Sequence, residues 1–151
     1  QASIAQLQAD GELGGIPTIV VHGRSDALIA PNHSSRAYYA LSRLRDGNRS
    51  KISYVEVTNA HHLDIFNAFP GFNNRFVPLH FYFVEAMDRM YRHLTAGAAL
   101  PASQLVRTTP RAVLPDGSLE PIGDANLPPI VVAPTPVDRI TFDGRTLRIP
   151  G

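Results

Sequence analysis

Cysteine is absent from the 151 residues. That removes disulfides, thiol nucleophiles and cysteine-ligated zinc from consideration, but leaves the compartment open, because exported proteins can lack cysteine too. Charge is also scarce: 18% of residues are Asp, Glu, Lys or Arg, and they nearly cancel to a formal net charge of +1. No basic patch calls for a phosphate backbone, so nucleic acid is not an expected partner. No apolar run is long enough to span a bilayer, and residues 1–10 lack the basic and apolar regions of a signal peptide. No internal repeat or low-complexity tract is visible. The chain starts at Gln1 without an initiator Met, which leads us to expect further sequence upstream. What remains is 44% apolar, as in ordinary globular chains. A chain of this size can bury roughly two-thirds of its unfolded surface.

Along the chain, Ile4, Ala5 and Gln8 are spaced as in a helix, and Gly11, Gly14 and Gly15 break it. Residues 16–22 (IPTIVVH) form a short β-branched run, as expected for a strand buried on both faces of a parallel sheet. A loop over 23–31 leads to a helix over 32–45, with Asn32 or Ser34 as N-cap and Ala37, Leu41 and Leu44 along one stripe. Residues 52–57 (ISYVEV) read as a second strand, so strand, helix, strand implies a parallel sheet with a right-handed crossover. An aromatic-rich loop over 59–74 follows. Pro78 then opens a long helix whose Leu79, Phe83, Met87, Met90 and Leu94 should pack on the sheet. Beyond Leu100 prolines recur, and only residues 130–133 and 140–149 look like strands, the latter folded at Asp143-Gly144 as a hairpin.

Asp26 lies in the loop after the first strand, and His61 and His62 lie in the loop after the second. In a doubly wound sheet such loops open on the same edge, at the carboxyl ends of the strands. A serine esterase needs a carboxylate to fix the tautomer of a histidine, and the histidine to take the serine proton. The chain order acid then histidine suits an α/β-hydrolase. Taken singly, Asp26 reads as a turn-capping carboxylate, and His61 and His62 as a solvated pair or one core histidine. Their joint placement is what favours catalysis.

Other groupings compete. The run Gly23-Arg24-Ser25-Asp26-Ala27 imitates a nucleophile elbow, but residues 27–31 interpose apolar residues and a proline where an elbow would enter a helix. Ser25 would then need His61, His62, His80 or His93 as base, with Asp64 or Asp88 as acid. His61, His62 and Asp64 offer zinc-type donors, yet adjacent residues on an extended backbone point apart, so no metal is expected. His93, near a helix C-terminus, suits the helix dipole. Phe66 and Leu28 are candidate walls of an apolar pocket, whereas Phe72 and Phe76 read as core anchors.

The segments GIPTIVVHGRSDALIAPNHSSRAYYAL (15–41), YVEVTNAHHLDIFNAFPGFNNRFVPLHFYFVEAMDRM (54–90) and LPASQLVRTTPR (100–111) resemble the C-terminal part of the D-3-hydroxybutyrate oligomer hydrolases. Tannases and feruloyl esterases are similar more distantly. The resemblance implies an α/β-hydrolase sheet over residues 1–109, followed by a Pro-rich, partly β extension over 110–151. It implies hydrolysis of small 3-hydroxybutyrate ester oligomers through an acyl-enzyme, with no cofactor. Asp26 matches the acid and His62 the base, and His61, Leu28 and Phe66 are placed toward substrate. Family members are several times longer and carry the nucleophilic serine upstream, so that upstream part is the expected partner. The alternative is a non-catalytic binding or assembly module that keeps a hydrolase-like half-sheet, or a fragment of a tannase- or feruloyl-type esterase.

Overall fold

The computed structural model describes residues 9–151; the helix end expected over 1–8 lies outside the described residues. Ile52–Val57 forms the middle strand of a three-stranded parallel sheet, and all six of its residues are buried. We label the strands in chain order: β1 is Thr18–Gly23, β2 is Ile52–Val57 and β3 is Gln104–Val106. β1 runs parallel to β2 from Thr18 opposite Ile52 to Gly23 opposite Val57, and β3 flanks the other side from Val55 opposite Gln104. Helix α1 (Ser35–Asp46) makes the crossover from β1 to β2, and α2 (Leu79–Ala96) the crossover from β2 to β3. The result is a mixed α/β arrangement with parallel strands.

The alternation of β2 separates two cores. Val55 and Val57 face Val77, Tyr82, Ala86, Val106 and Ile130 on the α2 side. Ile52 and Tyr54 face Tyr39 and Ile140 on the α1 side, where the Tyr39 and Tyr54 rings stack 5.6 Å apart. Glu56 also projects to this side, fully buried. Arg24 Nε donates to it at 2.5 Å, Arg36 through Nε and Nη2 at 2.8 and 2.6 Å, and the Tyr54 hydroxyl at 2.8 Å. Two guanidinium groups and a hydroxyl are what a buried carboxylate needs to remain ionised. Burial alone would raise the Glu56 carboxyl, but the bonds from Arg36, Arg24 and Tyr54 outweigh it and hold the group below its ordinary range. Arg24 Nη2 also donates to the Pro150 carbonyl at 2.7 Å and so straps the last residues to the end of β1.

Both helices occupy the expected stretches but bury only part of the expected faces, with Leu79 packed on the core as expected. In α1 the inward residues are Ser35, Tyr39, Ser42 and Asp46, whereas Ala37 and Leu44 face outward. Ser35 and Tyr39 meet the hydroxyl and ring of Tyr54, and Asp46 accepts from the Leu13 and Gly14 amides ahead of β1. In α2 the buried residues are Tyr82 and Ala86, while Phe83, Met87 and Leu94 of the expected stripe are 52, 58 and 69% exposed. Helical periodicity shows that an apolar face exists, not what covers it. β1 differs in the same way from the strand expected to be buried on both faces. Apart from Gly23 its residues are half-buried, because among the described residues no strand pairs along its outer edge.

Beyond α2, β3 was not anticipated: a three-residue strand in a proline-rich context gives little periodic signal. The strand expected over 130–133 does not form. Its backbone is held by side chains instead: the Ile130 amide donates to Glu85 Oε2 at 3.0 Å, and Val131 exchanges hydrogen bonds with the Gln104 carboxamide at 2.7 and 3.0 Å. The hairpin does form, with β4 (Thr141–Phe142) antiparallel to β5 (Leu147–Arg148). Asp143 Oδ1 accepts from the Arg145 and Thr146 amides, and Gly144 supplies a φ of +92°. No helix among the described residues is long and apolar enough to cross a membrane.

Candidate active site

The loops after β1 and β2 are joined before their side chains meet. The Arg24 amide donates to the Val57 carbonyl at 2.7 Å, and the Ser25 amide to the Ala60 carbonyl at 2.9 Å. This approach requires Gly23 at the end of β1, because a Cβ there would stand 2.4 Å from the Ala60 oxygen. The second loop is fixed at its root by Thr58, Asn59 and Thr108. Thr108 Oγ1 donates to the Thr58 carbonyl at 2.5 Å, and Asn59 Nδ2 to the Thr108 carbonyl at 2.8 Å. Asn59 adopts a φ of +52°, tolerable for asparagine, and turns the chain toward Asp26.

His62 Nδ1 lies 2.8 Å from Asp26 Oδ2. The Asp26 side chain is 2% exposed and that of His62 35% exposed. The other oxygen, Asp26 Oδ1, accepts from the Leu28 and Ile29 amides, each at 2.9 Å. Burial would raise the Asp26 carboxyl, but the Ile29 amide, the His62 imidazole and the Leu28 amide together hold it below its ordinary value. A carboxylate accepts only, so His62 carries its proton on Nδ1 and leaves Nε2 as the free basic nitrogen.

His22 joins the same carboxylate. Its Nε2 donates to the Ile29 carbonyl at 3.0 Å and lies 3.2 Å from Asp26 Oδ2, beside the loop that carries Asp26. Sequence reasoning missed this residue. The available signal was a histidine ending an otherwise apolar strand, which must find a polar partner when the strand is packed.

His61 points the other way and is buried. Its Nε2 bonds to Asn67 Oδ1 at 2.9 Å, and its ring packs against Phe66, Phe72 and Phe76 at centroid distances of 5.5, 5.8 and 4.7 Å. Asp64 goes elsewhere again, accepting from the Leu79 and His80 amides, both at 2.8 Å, at the start of α2. His61, His62 and Asp64 therefore each have a separate partner and do not converge. His93 Nδ1 bonds to the Ala98 carbonyl at 2.7 Å, just beyond the end of α2.

His62 borders a cavity of about 430 Å³ that is also lined by Leu28, His61 and Phe66. Phe72 and Phe76, read as core anchors, line it as well and pack on His61 at the same time. Ser25 reaches the cavity rim, but no hydrogen bond joins it to a histidine among the described residues. The chain beyond it runs through bends and a short 3-10 turn (Pro31–His33) before α1, unlike an elbow.

A family model described as 3HB-oligomer hydrolase (3HBOH) matches residues 1–151. The chain belongs to this family. A D-(-)-3-hydroxybutyrate oligomer hydrolase of Polaromonas sp. (strain JS666 / ATCC BAA-500) is 48% identical over 149 residues, covering 99% of this chain and 21% of the relative. One from Azoarcus sp. (strain BH72) is 51% identical over 151 residues, covering 98% of this chain and 22% of the relative. One from Cupriavidus necator is 44% identical over 151 residues, covering 99% and 21%. The chain thus spans about a fifth of the length of the curated relatives it matches. No solved structure matches it significantly.

Proposed function

We propose that the chain is the C-terminal part of an α/β-hydrolase-type serine esterase that cleaves 3-hydroxybutyrate oligomers, with Asp26 as triad acid and His62 as triad base. The observation that carries this is the 2.8 Å bond from His62 Nδ1 to Asp26 Oδ2, which leaves Nε2 free beside a pocket. In the reaction, Nε2 takes the serine proton as the serine oxygen bonds to the ester carbonyl, then gives it to the leaving alkoxide. Water next attacks the acyl-enzyme, loses its proton to Nε2, and the serine is restored as the hydroxy acid leaves. Asp26 steadies the imidazolium in both halves.

The serine resides on the remainder of the longer protein, which is also the partner for the surfaces left open here. A further parallel strand fits the outer edge of β1, and apolar surface fits the outward Phe83, Met87 and Leu94 of α2. In the complete enzyme, His62→Ala and Asp26→Asn should each lower kcat on a 3-hydroxybutyrate dimer by about three orders of magnitude or more, while His61→Ala costs far less. Steady-state kinetics of the three variants decides it: an active His62→Ala enzyme removes His62 from the chemistry.

A further inference from the structure

We infer that Arg75 is the anchor for the free carboxylate of the substrate, so that the cavity beside His62 holds the leaving hydroxybutyrate unit at the carboxyl end of the oligomer. This rests on the reading of Asp26 and His62 as acid and base.

Arg75 sits on the wall of the cavity of about 430 Å³, together with Leu28, Phe66, Phe72 and Phe76. That volume is typical of small-molecule sites, which run from about 300 to 1,000 Å³. The walls are almost wholly apolar, and no carboxylate lines them. Several of the other charged or ring groups in this region are engaged. Asp26 is held by His62 and two amides, His61 by Asn67, and the nearby Arg111 by the Asn73 carbonyl at 3.0 Å. Arg75 is solvent-exposed at the edge of the cavity, and its guanidinium makes no hydrogen bond or ion pair among the described residues, so it is free to turn onto a ligand there. An unpaired fork donor at the wall of an apolar pocket is suited to a carboxylate, which it binds through two parallel N–H bonds.

The chemistry of the ester decides which end of the substrate lies there. His62 must deliver its proton to the leaving alkoxide, so the alcohol side of the scissile bond rests against His62. In a 3-hydroxybutyrate ester the alcohol side is the unit that carries a methyl group on its alkoxide carbon and, in a dimer or at the last bond of an oligomer, a free carboxylate two carbons further on. The apolar wall suits the methyl and Arg75 the carboxylate. The second depression that His62 borders, of about 380 Å³, has no such cation: it is lined by His80, Phe83, Leu79 and Val21, and its Asp64 is committed to α2. Arg75 would thus direct cleavage to the last ester bond and release one hydroxy acid at a time.

The test compares the 3-hydroxybutyrate dimer as free acid with its methyl ester, using the complete enzyme. For the wild type, kcat/KM should favour the acid. Arg75→Gln should lower kcat/KM on the acid about tenfold to a hundredfold, chiefly through KM, and lower it far less on the methyl ester. Arg75→Lys should recover part of the loss. Equal losses on both substrates, or none on either, overturn the assignment. Activity retained in His62→Ala overturns the underlying reading instead, and is distinguished because it is independent of the acid-to-ester comparison.

Discussion

Asp26 accepts from two backbone amides on one oxygen and from the ring of His62 on the other, with His22 3.2 Å from that second oxygen. The two amides curl the loop around its own carboxylate, and His22 ties the loop to β1 through the Ile29 carbonyl. Removing that tie should let Asp26 rotate without altering the pocket. His22→Ala in the complete enzyme is expected to lower kcat about tenfold with KM nearly unchanged, the size of one lost hydrogen bond. His22→Gln should restore part of it, because its carboxamide can donate to the same oxygens. A change confined to KM would contradict a positioning role. Asp26 and His62 were legible in the sequence as a pair because each lies in the loop that follows a strand, and parallel strands open such loops on one edge. The partners of His22 were not, because they depend on how residues 26–29 curl back, which no periodic pattern encodes. Which of the adjacent histidines faces Asp26 was likewise open on spacing alone, and resemblance favoured His62.

The strands and helices were legible as elements but not as faces. Spacing placed α1 and α2 within a few residues, whereas their buried sides were set by neighbours in space: Tyr54 and Glu56 for α1, Val57 and Ile130 for α2. The Glu56 network makes the joint of β1, α1 and β2 sensitive to acid. Its depressed carboxyl contributes stability that is fully present above the ordinary value of 4.5 and is lost as pH falls toward the lower folded value. Glu56→Gln leaves Arg24 and Arg36 facing a neutral group, and should destabilise by about 3 kcal/mol at neutral pH, toward the low end for a broken buried pair because both guanidinium groups reach solvent. The difference in thermal midpoint between wild type and variant should shrink steadily below about pH 4.5, the region where the unfolded carboxyl takes up its proton. A difference that grows on acidification would mean that Glu56 is not ionised in the fold.

At the scale of the whole molecule, Asp26 and His62 meet on a sheet whose β1 edge is unpaired among the described residues. Proton transfer without a nucleophile makes no acyl-enzyme. The 151-residue chain alone should therefore show no turnover of a nitrophenyl ester, and should self-associate with rising concentration through β1 and the apolar side of α2. Light scattering and an esterase assay on the same sample test both statements. Turnover abolished by Ser25→Ala would return the nucleophile to the loop after β1. The parallel pairing of β1 with β2 and the crossover through α1 were readable from two apolar runs and the helix between them, whereas β3 was not. The covering of the sheet by residues 130–140 was not, since prolines and side-chain bonds to Gln104 and Glu85 replace a ladder there.

The contact at Gly23 bears on how such a site is inherited. With the Ala60 oxygen 2.4 Å from where a Cβ would stand, selection at this position acts against any side chain at all. Drift can exchange the hydrophobic walls of the cavity for others of similar bulk and so reshape it. It cannot touch position 23 without separating the loop that carries Asp26 from the loop that carries His62. Glycine there should be among the last letters a descendant loses while these two side chains still meet.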